Sequence, residues 1–217
     1  MGALRGERTV GRKIGFTNRT IWERYGVDGP MWSDVTDRTL LQIADGPVSL
    51  AGLSQPRLEP EVAVCLAHSP TPGMSDETLI GCIAWFAPAF EIVQSIYPDW
   101  RFTLADCIAA NALHARLLVG TPAEPGPWAL ELPQMEVTLR HGEEAVDKGV
   151  GANVLDGPLA ALRFLVEMRA TEGAVLAPGE IISTGTITDA WPIAPGETWT
   201  ADYGDTPLST ITAEFAA

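Results

Sequence analysis

The chain has 217 residues, with 28 acidic against 14 basic side chains, a formal charge of −14, and 46% hydrophobic and 19% charged residues. That balance is globular rather than disordered, and the length allows a sizeable core within one domain, residues 1–217. No Lys/Arg cluster provides the basic footprint of a nucleic-acid binder, and the acidic field repels anions, so an anionic substrate needs a local positive centre such as a metal ion.

Residues 1–8 are polar and charged, without the apolar core of a secretory signal. Strands are expected over residues 12–16 and 61–66. A first helix starts after Ser75, where Asp76 and Glu77 suit its positive end, and fails before Pro88. The most apolar stretch, residues 79–93, is interrupted by Pro88 and Glu91 and is too short to span a bilayer. A second helix is expected from Thr103, with Asp106 completing a capping box, to Gly120. A strand follows over residues 134–140. A third helix opens after Asp156, with Pro158 in its first turn, and runs to about Met168. Two Pro-Gly-Glu turns lead into strands at residues 181–184 and 198–203, and residues 209–215 form a last strand. The class is α+β, dominated by a twisted, barrel-like β core. Cys65, Cys82 and Cys107 form no CxxC pair and sit among apolar residues, as free thiols of a reducing, cytoplasmic protein do.

Chemistry concentrates in few places. In an extended Arg57-Leu58-Glu59-Pro60-Glu61 segment, Glu59 and Glu61 project together. Adjacent carboxylates repel unless a cation or shared proton intervenes, and paired acids entering a buried strand suit Mg²⁺ or Mn²⁺. The alternative is a solvated strand end. Glu91 is flanked by apolar residues and, if buried, needs a partner; the plain alternative is a salt bridge at the rim to an arginine such as Arg57 or Arg101. His68, His114 and His141 show no ligand spacing; His114 either lines a pocket from the second helix beside Asn111 or is an ordinary core or surface histidine.

Gly11-Arg12-Lys13-Ile14-Gly15-Phe16-Thr17, Glu59-Pro60-Glu61, Pro88-Ala89-Phe90-Glu91-Ile92-Val93 and the stretch from Gly179 to Thr186 follow in order. Together with Asp99-Trp100, Asp106 to Asn111 and Gly151 to Leu155, they resemble the hydratase/decarboxylase branch of the fumarylacetoacetate hydrolase superfamily over nearly the whole chain. The resemblance implies the fumarylacetoacetase C-terminal-like fold and a metal-dependent lyase. Glu59, Glu61 and Glu91 would hold one Mg²⁺ or Mn²⁺, and Lys13 would lie in the active site. Thr184, Gly185 and Thr186 would contact the substrate carboxylate, and Asn111 would line the pocket. The substrate is expected to be a small 2-oxo acid. Polarised by the ion, it yields an enolate common to alkene hydration and loss of CO₂. Lys13 either moves a proton, once its pKa is lowered toward neutrality, or remains an ammonium that neutralises the acids.

The chain departs from that branch at Met31, where its hydratases carry an aspartate; Asp28 or Asp34 would have to substitute. Hydration of a 2-hydroxy-2,4-dienoate is the first expectation. Decarboxylation of a 4-oxalocrotonate-like acid, acylpyruvate cleavage and a non-catalytic partner subunit are the alternatives. Relatives have a helical region before the lysine segment; here the expectation is either a natural short form or an upstream start outside this sequence, and in the short form the exposed surface is expected to be covered in a homo-oligomer, with a pathway enzyme as a further associate. No membrane partner is expected.

Overall fold

The computed structural model describes residues 6–217. The first part runs β1 (Thr9–Gly15), α1 (Trp22–Tyr25), β2 (Met31–Thr36), β3 (Leu40–Gln42), β4 (Arg57–Leu66), α2 (Asp76–Ile80) and β5 (Ile83–Val93). Then come α3 (Leu104–Ala109), β6 (His114–Val119), β7 (Glu136–His141), β8 (Glu144–Val150) and α4 (Pro158–Thr171). The chain closes with β9 (Ile181–Ser183), β10 (Trp191–Pro192), β11 (Thr198–Asp202) and β12 (Ile211–Glu214).

A mixed sheet has the order β2-β1-β9-β4-β5-β6-β3, with β10 beside β4, and curls over a second sheet of order β12-β11-β7-β8. The period-2 alternation of β4 explains the layering. Leu58, Val62, Val64 and Leu66 face the main core, where they meet Val137, Leu139, Trp199 and Ile211 of the second sheet. α4 adds Leu159, Leu162, Leu165 and Val166 to that core, a helical stripe of i, i+3 spacing. The other face of β4 carries Arg57, Glu59 and Glu61 before it is sealed at Ala63 by a small apolar cluster.

Two expectations need correction. The capping box at Thr103 does start α3, but the helix ends at Ala109 and residues 114–119 are a strand. Leu117 pairs with Glu91 of β5 on one side and Leu40 of β3 on the other, so sheet pairing overrides the local helical signal. The helix after Ser75 likewise stops at Ile80, and residues 83–93 form a strand running through Pro88. Pro88 is tolerated because Val62, opposite it, turns its carbonyl to the Thr184 N–H (3.1 Å), so no β4–β5 bond requires the missing donor. α4 extends three residues beyond the expected end, and β2, β3 and β8 were not anticipated.

Candidate metal centre

The register of β4 on β5 sets Glu59 directly opposite Glu91 and Glu61 opposite Ala89. Glu59 and Glu61 share a strand face, and Glu91 meets Glu59 across the ladder, so three carboxylates converge. One oxygen of each lies within 4.8 Å of the others. A slip of one residue would send Glu91 into the main core instead.

Each carboxylate is held differently. Glu91 Oε1 accepts from His114 Nδ1 at 2.7 Å and from Lys13 Nζ at 3.0 Å, while its Oε2 is buried without a partner. Glu61 Oε2 accepts from the Ser183 hydroxyl and from the Gly185 N–H, the latter at 2.8 Å. Gly185 has φ 112, and a Cβ there would stand 1.8 Å from Thr17 Oγ1, so only glycine brings this N–H to Glu61. Beneath, the buried Tyr203 hydroxyl donates to the carbonyls of Glu61 (2.6 Å) and Ala89 (3.2 Å), tying the two strands together.

The electrostatics ask for a cation. Burial, then the charges of Glu91 and Glu59, push the Glu61 carboxyl well above its ordinary value. Glu59 is pushed up to about 7, first by burial, with Lys13 and Arg57 opposing the rise and Glu91 adding to it. Burial acts the same way on Glu91, but Lys13 and His114 outweigh it and hold this carboxyl below the ordinary range. An all-oxygen donor set with one buried, partnerless oxygen suits Mg²⁺ or Mn²⁺, which favour carboxylates and keep positions open for water or substrate.

Lys13 sits on β1, opposite Ser183 of β9, and its Nζ also donates to the Ala112 carbonyl at 2.9 Å. That carbonyl is presented by three consecutive non-glycine residues in left-handed conformation, Asn111, Ala112 and Leu113 (φ 54, 52 and 61). Burial alone would lower the Lys13 pKa; Glu91, Glu59 and Glu61 together raise it instead. Of the two readings left open for Lys13, this favours the ammonium that neutralises the acids while the carboxylates stand uncompensated.

Lys13, Glu59 and Glu61 floor a cleft of about 110 Å³ whose walls include Phe16, Thr17, Met31, Arg57, Trp100 and Thr186. The substrate-contact set expected from sequence divides here. Thr186 lines the cleft, with its hydroxyl proton on the Thr188 carbonyl at 2.8 Å. Thr184 instead donates to the Val62 carbonyl (2.8 Å) and Gly185 to Glu61, because the turn after β9 lies against β4. Asn111 points to the far side, where its amide meets the Asp34 carbonyl (3.0 Å) and lines a separate cavity of about 320 Å³. Met31 faces the cleft, its sulfur 3.8 Å from that of Cys107. Neither Asp28 nor Asp34 lines the cleft, and Asp34 pairs with Arg12 at 3.3 Å.

Sequence reasoning missed Ser183, Tyr203 and the engagement of His114. His114 starts β6 with a buried ring, and its Nε2 faces Thr39 Oγ1 at 2.9 Å. The ionised Glu91 carboxylate can only accept, so the Nδ1–H faces it, while Thr39 Oγ1, which accepts the Thr36 N–H (3.0 Å), has its single proton within reach of both the Thr36 carbonyl (3.3 Å) and Nε2. The only signal in the sequence was a polar residue inside an apolar run.

A family model described as fumarylacetoacetate (FAA) hydrolase C-terminal matches residues 35–214. A 4-oxalocrotonate decarboxylase of Pseudomonas sp. is 31% identical over 88% of this chain and 73% of its own length. A 2-hydroxyhexa-2,4-dienoate hydratase of Comamonas testosteroni is 32% identical with the same coverage. Among solved structures, 4-oxalocrotonate decarboxylase from Pseudomonas putida G7, complexed with magnesium and adipate, superposes with a TM-score of 0.88 at 30% identity, covering 98% of this chain and 80% of that one.

Proposed function

Because the chain belongs to the fumarylacetoacetate hydrolase family, we propose that it is a Mg²⁺- or Mn²⁺-dependent lyase acting on a small 2-oxo acid, with Glu59, Glu61 and Glu91 as the metal ligands. The observation that carries this reading is the convergence of the three carboxylates on one point, with Glu91 Oε2 buried and partnerless. When bound there, a divalent cation supplies a Lewis acid for the oxo group and a positive centre for the substrate carboxylate. The chain's own groups do the rest. Ser183 and the Gly185 N–H aim Glu61, and His114 and Lys13 aim Glu91. Lys13, buried beside Glu91, is placed to hold a proton and deliver it to the substrate once a cation offsets the carboxylates that raise its pKa. The apolar wall of Phe16, Met31, Val93 and Leu113 excludes water from the carbon chain.

Hydration of a 2-hydroxy-2,4-dienoate is the first reading, in line with the hydratase relatives. Decarboxylation of a 4-oxalocrotonate-like acid is the second, and one observation favours it: Met31 occupies the wall and neither Asp28 nor Asp34 takes the place of an acid at that position, although Asp189 lines the cleft elsewhere. Homo-oligomer formation and a cytoplasmic location belong to the same proposal. Exposed Ile96 and Ile108 support a subunit contact, and a clean monomer in light scattering would remove it. The decisive experiment is a Mg²⁺/Mn²⁺-dependent turnover screen over 2-hydroxydienoates, 4-oxalocrotonate, oxaloacetate and acylpyruvates. Glu61→Gln is expected to abolish whichever activity appears and to lower bound metal with it. Full turnover in that variant would refute the ligand assignment.

A further inference from the structure

A lysine ammonium can donate three hydrogen bonds, and the neighbours of Lys13 use two of them: Glu91 Oε1 at 3.0 Å and the Ala112 carbonyl at 2.9 Å. Among the described residues no hydrogen bond takes the third, and Lys13 lines the cleft. The ammonium is tetrahedral, so its two occupied positions dictate where the remaining N–H points. The placement of the Ala112 carbonyl therefore decides the aim of that proton.

That carbonyl belongs to the left-handed run Asn111, Ala112 and Leu113. Non-glycine residues are strained there and persist only where the surroundings over-determine them. Leu113 is held locally: its carbonyl accepts the Gln94 N–H (2.9 Å), its N–H donates to the Ala110 carbonyl (3.1 Å), and its side chain packs with Val93 and Cys107. The Asn111 amide reaches further, donating to the Asp34 carbonyl at 3.0 Å. β2 forms one border of the curled sheet, and β6 and β3 form the other. The run leads into β6, whereas Asp34 lies on β2 next to Ser33, the ladder partner of Lys13. One side-chain hydrogen bond thus spans the gap between the borders and ties the run to the strand pair that carries Lys13. Ala112 and Leu113 line the cleft, while Ala110 and Asn111 line the second cavity. The amide therefore acts from behind the wall, away from the substrate.

We propose that Asn111 is a positioning residue of the reaction. Its bond to Asp34 sets the left-handed run, the run sets the Ala112 carbonyl, and that carbonyl aims the remaining N–H of Lys13 into the cleft at the substrate. The inference rests on the lyase reading above and adds to it a group that touches neither substrate nor carboxylate cluster.

Ketonisation of 2-hydroxypenta-2,4-dienoate by the Mg²⁺-saturated protein, followed optically, isolates the proton delivery: the O–H bond of the 2-hydroxyl breaks, a C–H bond forms, and a 2-oxo acid results. Asn111→Gly is at ease in left-handed backbone and removes only the amide. It is expected to lower kcat about tenfold to a hundredfold, the cost of a misaimed group, with KM and Mg²⁺ affinity unchanged. Lys13→Ala is expected to lose at least as much, and adding Asn111→Gly to it to cost nothing further, because both act through one ammonium. Full kcat in Asn111→Gly, losses that multiply in the double variant, or a parallel fall in Mg²⁺ affinity each overturns the assignment, while turnover by wild type leaves the lyase reading standing. Wild type that decarboxylates 4-oxalocrotonate without ketonising the dienoate also overturns it; failure at both removes the two readings together. Should melting curves show that Asn111→Gly does not fold, Asn111→Asp, whose carboxylate cannot donate to Asp34, is judged by the same outcomes.

Discussion

Glu91 carries two opposed duties, since one of its oxygens must be satisfied and the other must stay open. His114 and Lys13 both donate to Oε1, which leaves Oε2 buried without a hydrogen-bond partner. Removing a hydrogen bond that orients a metal ligand typically weakens metal binding about tenfold to a hundredfold. His114→Leu should therefore raise the Mn²⁺ dissociation constant by about that factor. His114→Asn, whose amide N–H can stand near the position of Nδ1, should recover much of the loss. Mn²⁺ titration followed by electron paramagnetic resonance measures both, and equal affinity in wild type and the leucine variant would show His114 to be mere packing. Lys13 teaches a related lesson. The sequence left open whether it is a proton carrier tuned toward neutrality or an ammonium neutralising the acids; in the metal-free protein the three surrounding carboxylates raise its pKa, a balance visible only once all four groups occupy one site.

At the level of elements, the turn after β9 holds the site in register. Thr184 donates to the Val62 carbonyl and Gly185 to the Glu61 carboxylate, so this turn grips β4 from the side opposite β5. Gly185→Ala would combine a left-handed backbone with a Cβ overlapping Thr17 Oγ1. We expect a loss of about 1–3 kcal/mol in stability, together with weaker Mn²⁺ binding because the N–H donor moves off Glu61. Chemical denaturation and metal titration on the same sample test this, and an unaltered midpoint would contradict it. The region of residues 103–120 marks where local reasoning stopped working. Thr103 and Asp106 cap a genuine helix, but Leu117, Leu118 and Val119 have β5 and β3 waiting on both sides. The transition between the two states passes through Asn111, Ala112 and Leu113, the strained turn that presents a carbonyl to Lys13.

For the whole molecule, the buried acidic cluster couples protonation to stability and, on the proposed reading, metal binding to both. The folded Glu59 carboxyl sits at about 7 against an ordinary 4.5, so the metal-free fold retains a proton that the unfolded chain has released. Stability from this group is complete below the ordinary carboxylate pKa and is lost as pH rises through about 7. Glu61 acts in the same direction and Glu91 in the opposite one, the latter giving stability that is lost in acid. The metal-free protein should accordingly show a falling melting temperature from about pH 5 to about pH 8. Saturating Mn²⁺, binding only the folded state, should raise the melting temperature most at the alkaline end. A pH-independent metal effect would argue against a shared carboxylate site.

The sequence by itself determined the chemistry on offer: an acidic globular chain, a Glu-x-Glu pair on an extended segment, a third acid in an apolar run, and an ordered set of motifs pointing to one family. Those features are local, because side-chain alternation along a strand follows from backbone geometry alone. Only the tertiary structure decided what the acids meet. The pairing of Glu59 with Glu91 is a matter of strand register, set by the long-range packing of β4 between β9 and β5. The engagement of His114, Ser183 and Tyr203 depends on contacts between residues far apart in the chain, for which no spacing rule exists. Thr184 and Asn111 lost their expected places for the same reason, since the orientation of a side chain at the end of an element is settled by its neighbours in space.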